Sequence, residues 1–299
     1  MRILVTGANG LLGYKLIQLL SKQPHICAIA TARKKISHLP EHVIFCELDI
    51  TDADQTKDVI SVMKPDVVIH TAAMTNVDQC EAEREQCWKT NVHGVENLIA
   101  ACAMNHVHLI HVSTDFIFDG SHGPLDERAI PKPVNYYGES KLAAEKAIQQ
   151  STLSWAILRT VLVFGITPDM SRSNIVLWVK KSLEEGKTIQ VVNDQWRTPT
   201  LAEDLAMGCF LSAQKKATGI YHISGEEMMT PYDIAIQTAE FFHLDKSLIK
   251  PTDSSKFKQP AMRPPKTGFI ITKAKKELGY QPHSFKEGLK LLASQLAER

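Results

Sequence analysis

The chain has 299 residues, enough for one large or two modest domains. Its 44% hydrophobic and 22% charged content is that of an ordinary globular protein, and 34 basic against 33 acidic residues leave a net charge of +1, which gives nucleic acid and anionic membranes no electrostatic hold. No apolar run approaches the roughly 18 residues of a membrane span, and Ile3-Leu4-Val5 is too short for the core of a signal peptide, so a cytoplasmic location without a membrane partner is expected.

Short Ile- and Val-rich runs predict strands at Arg2–Thr6, Ile26–Ala32, Val43–Glu47, Val67–Thr71, His108–Ser113 and Ser154–Arg159. Amphipathic stretches between them predict helices at Leu11–Ser21, Gln55–Met63, Glu85–Asn105 and Tyr137–Gln150. This alternation implies right-handed βαβ units and an α/β fold with a doubly wound parallel sheet. After Gly165 the pattern loosens into a helix at Ile175–Glu185, a strand at Ile189–Val192, a helix at Leu201–Ala213 and a strand at Gly219–Ser224. Helical segments at Pro231–Phe242, Thr272–Leu278 and Ser284–Ala297 complete the chain. The expected division is a dinucleotide-binding domain over 1–165, with parts of 189–230 returning to it, and a smaller α/β substrate region over 166–299. Ligands should bind in the cleft between them, at the C-terminal ends of the strands.

Gly7-Ala8-Asn9-Gly10-Leu11-Leu12-Gly13 follows the first strand and opens the first helix. Gly7 permits the tight turn, Gly10 lets backbone approach a phosphate, and Gly13 lets the helix lie close to the sheet. A pyrophosphate would then meet free N–H groups at the helix N-terminus, with Leu11 and Leu12 beside it. A structural turn without a ligand is the alternative. The second strand ends in Thr31-Ala32-Arg33-Lys34-Lys35, with no acidic residue to hold ribose hydroxyls. Arg33 can grip a 2′-phosphate, which favours NADPH, with NADH as the second choice; a solvated basic turn is the other reading. Asp49 and Ile50, after the third strand, are placed near the adenine.

Tyr137 and Lys141 stand at i and i+4, on one helix face, with Ser113-Thr114-Asp115 ending the strand before them. An ammonium beside a phenol should lower its pKa from about 10, so that Tyr137 can act as general acid toward a carbonyl oxygen. The Thr114 hydroxyl can bond the same oxygen, and Lys141 can also hold the nicotinamide ribose. Cys27, Cys46, Cys80, Cys87, Cys102 and Cys209 show no paired framework and read as free thiols. His106, His108 and His111 lack a carboxylate or cysteine partner in sequence, so no metal is expected.

Thr6–Gly13, Ala72-Ala73, Asn91, Ser113-Thr114-Asp115 and Tyr137-x-x-x-Lys141 resemble the extended short-chain dehydrogenase/reductases, whose fold is of the Rossmann type. His70–Asp78, Ser113–Gly120, Val192–Gln195 and Thr198–Thr200 are most similar to the dTDP-4-dehydrorhamnose reductase branch. The resemblance implies that Thr114, Tyr137 and Lys141 are catalytic and that Ala72, Ala73 and Thr75 line the nicotinamide side. It implies that Val77, Thr114 and Asp115 lie near a nucleotide-linked sugar, and that the C4 ketone of a 6-deoxy-hexulose is reduced. Three positions depart from the branch. Leu162 replaces a tryptophan that stacks near the sugar. Arg197 replaces a glycine and, with Arg263, is expected near the substrate diphosphate, an internal salt bridge to Glu203 or Asp204 being its alternative. Lys15 replaces a glutamate through which some dimeric members bind magnesium, which argues against that metal; a homodimer stays open. Rival readings are an epimerase or dehydratase of the same fold and a non-catalytic subunit resembling the β subunit of methionine adenosyltransferase.

Overall fold

A computed structural model describes residues 1–36, 39–168, 173–256 and 259–298. A seven-stranded parallel sheet organises the chain. Its strands are β1 (Arg2–Thr6), β2 (Cys27–Ala32), β3 (Ile44–Glu47), β4 (Val67–His70), β5 (His108–Thr114) and β6 (Trp155–Thr160), joined later by a strand at Gly219–His222. Three short strands lie outside this sheet: β7 (Val163–Phe164), β8 (Ile189–Val192) and β9 (Thr200–Leu201). The late strand is therefore β10, and β11 (Ile249–Thr252) pairs with β8, while β7 pairs with β9. The order in the large sheet is β10-β6-β5-β4-β1-β2-β3. It reverses between β1 and β4, which opens the crevice where such sheets bind ligands.

Both faces of the sheet are covered, as continuous apolar strands require. The side chains of successive residues point to opposite faces. Ile3 and Val5 join Leu16, Ile17, Leu205 and Phe210 on one side, whereas Leu4 joins Ile60, Leu98 and Ile148 on the other. The first layer comes from α1 (Leu11–Ser21), and the second from α2 (Ala53–Met63) and helices that follow β4. After β4 the chain forms α3 (Val77–Ala82), α4 (Arg84–Trp88) and α5 (Gly94–Met104), and after β5 it forms α6 (Tyr136–Gln150). The C-terminal part supplies α7 (Ile175–Glu184), α8 (Ala202–Gln214), α9 (Pro231–Phe241) and α10 (Phe285–Ala297). Helix α8 packs back on α1, while α7, α9 and α10 build a separate core around Phe164, Leu201, Ile234 and Leu289.

The expected helix at Glu85–Asn105 is present as an unbroken helical run over 84–104, but it is not regular throughout. A π-turn at Lys89–His93 widens it in the middle, and a helix at Val77–Ala82 precedes it. One extra residue per turn is a tertiary choice that residue type does not encode. Thr272–Leu278 likewise ends in a π-turn at Ala274–Leu278. Strand β11 lies where no strand was expected; it contains Pro251, and as half of a two-stranded pair it tolerates the missing donor.

Candidate active site

The glycine loop and the loop after β4 meet at the sheet's crevice. Gly7 has φ +69°, and a Cβ there would stand 2.8 Å from the Ala72 backbone. Only glycine satisfies both the dihedral and the approach. Gly10 is the N-cap of α1 and carries no side chain that could cap it. The first N–H groups of that helix are thus left to a ligand, which suits a pyrophosphate. Gly10, Leu11, Leu12, Gly13 and Arg33 line one end of a cleft of about 790 Å³. Ala73, Thr75, Val77, Thr114, Asp115, Tyr137, Lys141, Leu162 and Arg197 line the rest of its length.

Helix α6 brings Tyr137 and Lys141 to the cleft beside Thr114. Asn135 caps it by accepting from Gly138 N at 2.8 Å, and its amide donates to Met262 O at 2.7 Å. A Cβ on Gly138 would lie 2.1 Å from Phe116 O, so only glycine lets this first turn press on the segment after β5. That contact sets Tyr137 beside Thr114. The Thr114 hydroxyl caps the 3-10 turn Asp115–Ile117 by accepting from Phe116 N at 3.2 Å, and it donates to Asp115 Oδ1 at 3.2 Å. Asn91, carried by the π-turn, accepts from Met74 N at 2.8 Å and donates to Met74 O and Ser140 Oγ, both at 3.0 Å. It fastens the loop after β4 to α6.

The electrostatics differ from expectation. Lys141 does not lower the Tyr137 phenol. Burial pushes that phenol above its usual value, and the Thr114 hydroxyl only partly opposes the rise. The ammonium turns down toward β5 instead, donating to Val112 O at 2.8 Å with His111 Nε2 at 3.0 Å. Burial brings Lys141 down to about 8, so its charge can change near neutral pH. Asp115 is fully buried and its carboxyl is raised by desolvation, with the Arg197 guanidinium opposing the rise.

Other expected residues take different partners. Arg197 does pair internally, but with Asp115 at 3.6 Å rather than with Glu203 or Asp204. Its remaining donors reach Pro264 O at 2.6 Å and Trp196 O at 2.8 Å. Glu203 is bound by Lys15 at 2.8 Å, and Asp204 by His283 at 2.6 Å. Arg263 does not line the cleft; it binds Asp78 through both Nη atoms, each at 2.6 Å. The structure therefore engages both guanidiniums that the sequence suggested for a diphosphate. Asp49 accepts from Thr51 N at 2.9 Å and from the Thr51 hydroxyl at 2.8 Å, and Ile50 is buried against α5, so neither side chain is among the cleft lining. Leu162 does line the cleft, at φ +40°, a backbone conformation unusual for leucine. Sequence reasoning passed over Met74, Phe116, Thr167 and Asn174, which also line the cleft; Met74 and Phe116 lie inside the stretches that carry the resemblance, whereas no motif marks Thr167 and Asn174.

Among the described residues no cluster of His, Cys, Asp and Glu could hold a metal, and no helix is long and apolar enough to cross a membrane. All six cysteines are free.

Comparison with known proteins agrees with this geometry. The methionine adenosyltransferase 2 subunit beta of Xenopus laevis is 35% identical over 84% of this chain and 75% of its own. A dTDP-4-dehydrorhamnose reductase of Aggregatibacter actinomycetemcomitans is 32% identical over 97% of both chains. The crystal structure of the Bacillus anthracis dTDP-4-dehydrorhamnose reductase in complex with NADP superposes with a TM-score of 0.84 at 28% identity, covering 98% of this chain and 99% of that one. The model of the RmlD substrate binding domain matches residues 1–298, and the chain belongs to that family.

Proposed function

We propose that this protein is an NADPH-dependent reductase acting on the C4 ketone of a nucleotide-linked deoxy sugar, with dTDP-4-dehydrorhamnose, reduced to dTDP-L-rhamnose, as the substrate of choice. The observation that carries this reading is the convergence of Thr114, Tyr137 and Lys141 on the floor of a cleft that begins at the glycine loop. NADPH supplies a hydride when bound. Tyr137 donates its proton to the ketone oxygen, and Thr114 holds the two oxygens together. The raised phenol keeps Tyr137 protonated at neutral pH, which suits an acid rather than a base. Lys141 orients the ribose side and supplies positive charge beneath the developing alkoxide.

Oxidation of NADPH in the presence of a panel of nucleotide 4-keto sugars tests the assignment. Tyr137→Phe should bind NADPH as the parent does and lose about 10²–10⁴-fold in turnover, because the ring still packs while the proton donor is gone. Turnover retained within a few-fold would remove Tyr137 from the reaction. A second reading is favoured by the 35% identity to a methionine adenosyltransferase subunit: a non-catalytic, cofactor-binding subunit. NADPH binding without turnover of any keto sugar, together with a stable complex with a methionine adenosyltransferase, would establish it instead.

A further inference from the structure

Two buried imidazoles lie beneath the reactive lysine with no role in the reaction described so far. His111 on β5 and His70 on β4 are 0% and 1% exposed and stack with ring centroids 5.2 Å apart. His111 Nε2 lies 3.0 Å from Lys141 Nζ, and Val112 O accepts from the same Nζ at 2.8 Å. An ammonium has three N–H donors and no acceptor. Two of them are thus directed at β5, and the third is left for the cleft that Lys141 lines.

The hydrogen-bond pattern dictates the tautomers. Nε2 of His111 must be the bare nitrogen if it accepts from the ammonium, so Nδ1 carries the proton. That Nδ1 has no hydrogen-bond partner among the described residues. His70 repeats the arrangement. Its Nδ1 lies 2.7 Å from the Thr6 hydroxyl, which already accepts from Thr71 N at 3.2 Å and Ala72 N at 3.4 Å and therefore donates to the ring. His70 Nε2 is likewise left without a hydrogen-bond partner among the described residues. An unpaired buried polar group is costly, and a structural role alone would be met at lower cost by an apolar residue.

We propose that His111 is a positioning residue for Lys141: its neutral imidazole accepts one N–H of the ammonium, aims another into the cleft, and helps keep the lysine charged at neutral pH. His111 is a poor base in this setting, since burial first, then the Lys141 and His70 charges, hold its pKa well below the usual value. It therefore stays an acceptor throughout the working range. The charged and titratable groups around the pair are His70 from β4, Cys87 from α4 and Glu145 from α6 itself, with Arg159 of β6 bound to Glu145. The inference deepens the reductase reading and rests on it only for its kinetic consequence.

Nitrogen-15 NMR of the whole protein tests it without substrate. In the unsubstituted protein at pH 7, Nε2 of His111 should be unprotonated and Nδ1 protonated. The Lys141 Nζ signal, identified by its loss in Lys141→Arg, should titrate near the value of about 8. In His111→Phe, which keeps the stacking ring but has no acceptor, that titration should fall by about one pH unit, as loss of one hydrogen bond to a charged group implies. In His111→Gln, whose carbonyl restores an acceptor, it should return to within about 0.3 unit of the parent. The alkaline limb of the kcat profile should move in parallel. A shifted lysine in a protein that reduces no keto sugar would uphold the role of His111 while removing the reductase reading. An Nε2–H tautomer in the unsubstituted protein, or the same lysine titration in the Phe and Gln variants, would overturn the proposal.

Discussion

Arg33 follows β2 directly, is exposed, and lines the end of the cleft where the glycine loop lies. Ala32 occupies the strand-end position where an acidic side chain would hold ribose hydroxyls. NADPH should therefore bind more tightly than NADH by about ten- to a hundred-fold, the worth of one charge-assisted pair to the 2′-phosphate. Fluorescence titration with both cofactors reads this directly. Arg33→Ala should narrow the gap, and equal dissociation constants in the parent would rule the contact out. Arg197 shows how an isolated residue can mislead. Its position before Thr198-Pro199-Thr200 pointed toward the cleft, and it does reach the cleft wall. Its charge, however, is used on buried Asp115 and on the carbonyls of Pro264 and Trp196.

Among elements, what matters is how separate segments are held in register. Residues 259–266 are tied to α3 by the Arg263–Asp78 pair and by the Asp78 carboxylate accepting from Ala261 N at 3.1 Å. The hydrogen bond from Arg263 is the main cause that holds the Asp78 carboxyl below its usual range. A carboxyl with a depressed folded-state pKa adds stability above its unfolded pKa of about 3.9, and that stability is lost as pH falls through the folded value. Arg263→Ala should cost about 1 kcal/mol at pH 7, a modest figure because Asp78 is partly exposed and screened. The loss should fade as pH falls below about 4, where the unfolded chain takes up the proton and the parent's advantage disappears as pH approaches the depressed folded value. Thermal melts of both proteins from pH 7 to pH 3 check this; a difference that does not change with pH would assign the effect to packing. Strand β6 and helix α6 are joined more deeply, by Arg159 and Glu145 at 2.7 Å with 2% and 0% exposure. That pair fixes the helix that carries Tyr137 and Lys141 to the sheet.

Across the whole molecule, three distant parts of the chain meet at Lys15. Its ammonium on α1 binds Glu203 on α8 at 2.8 Å and Gln295 on α10 at 2.7 Å, and Gln295 in turn donates to Glu203 at 2.6 Å. The first helix is thereby bound to the last. Lys15→Met should lower stability by about 1.5–3 kcal/mol, since it leaves a half-buried carboxylate without its cation. Urea unfolding should show a lower midpoint at unchanged slope, and an unchanged midpoint would mean that the network is only a surface contact.

Residue order alone was enough for those features whose physics is local. Strand-glycine-helix at Thr6–Gly13 marks a tight turn into a helix whose N-terminus lines the cleft, because backbone conformation and helix start both follow from neighbouring residues. Tyr137 and Lys141 share a helix face by spacing, and the alternation of short apolar runs with amphipathic stretches specifies a parallel sheet. Long-range packing determined the rest. The direction of Lys141 depends on His111 and Val112, thirty and twenty-nine residues away, and the state of the Tyr137 phenol depends on its burial. The π-turn carries Asn91 to Met74 and Ser140, seventeen and forty-nine residues away along the chain. Charges at Arg197, Arg263 and Lys15 are legible as charges in the chain, but their partners lie 82, 185 and 188 residues away (197 − 115, 263 − 78 and 203 − 15). A salt bridge is a matter of distance in space, and separation along the chain carries no record of it until the chain is folded.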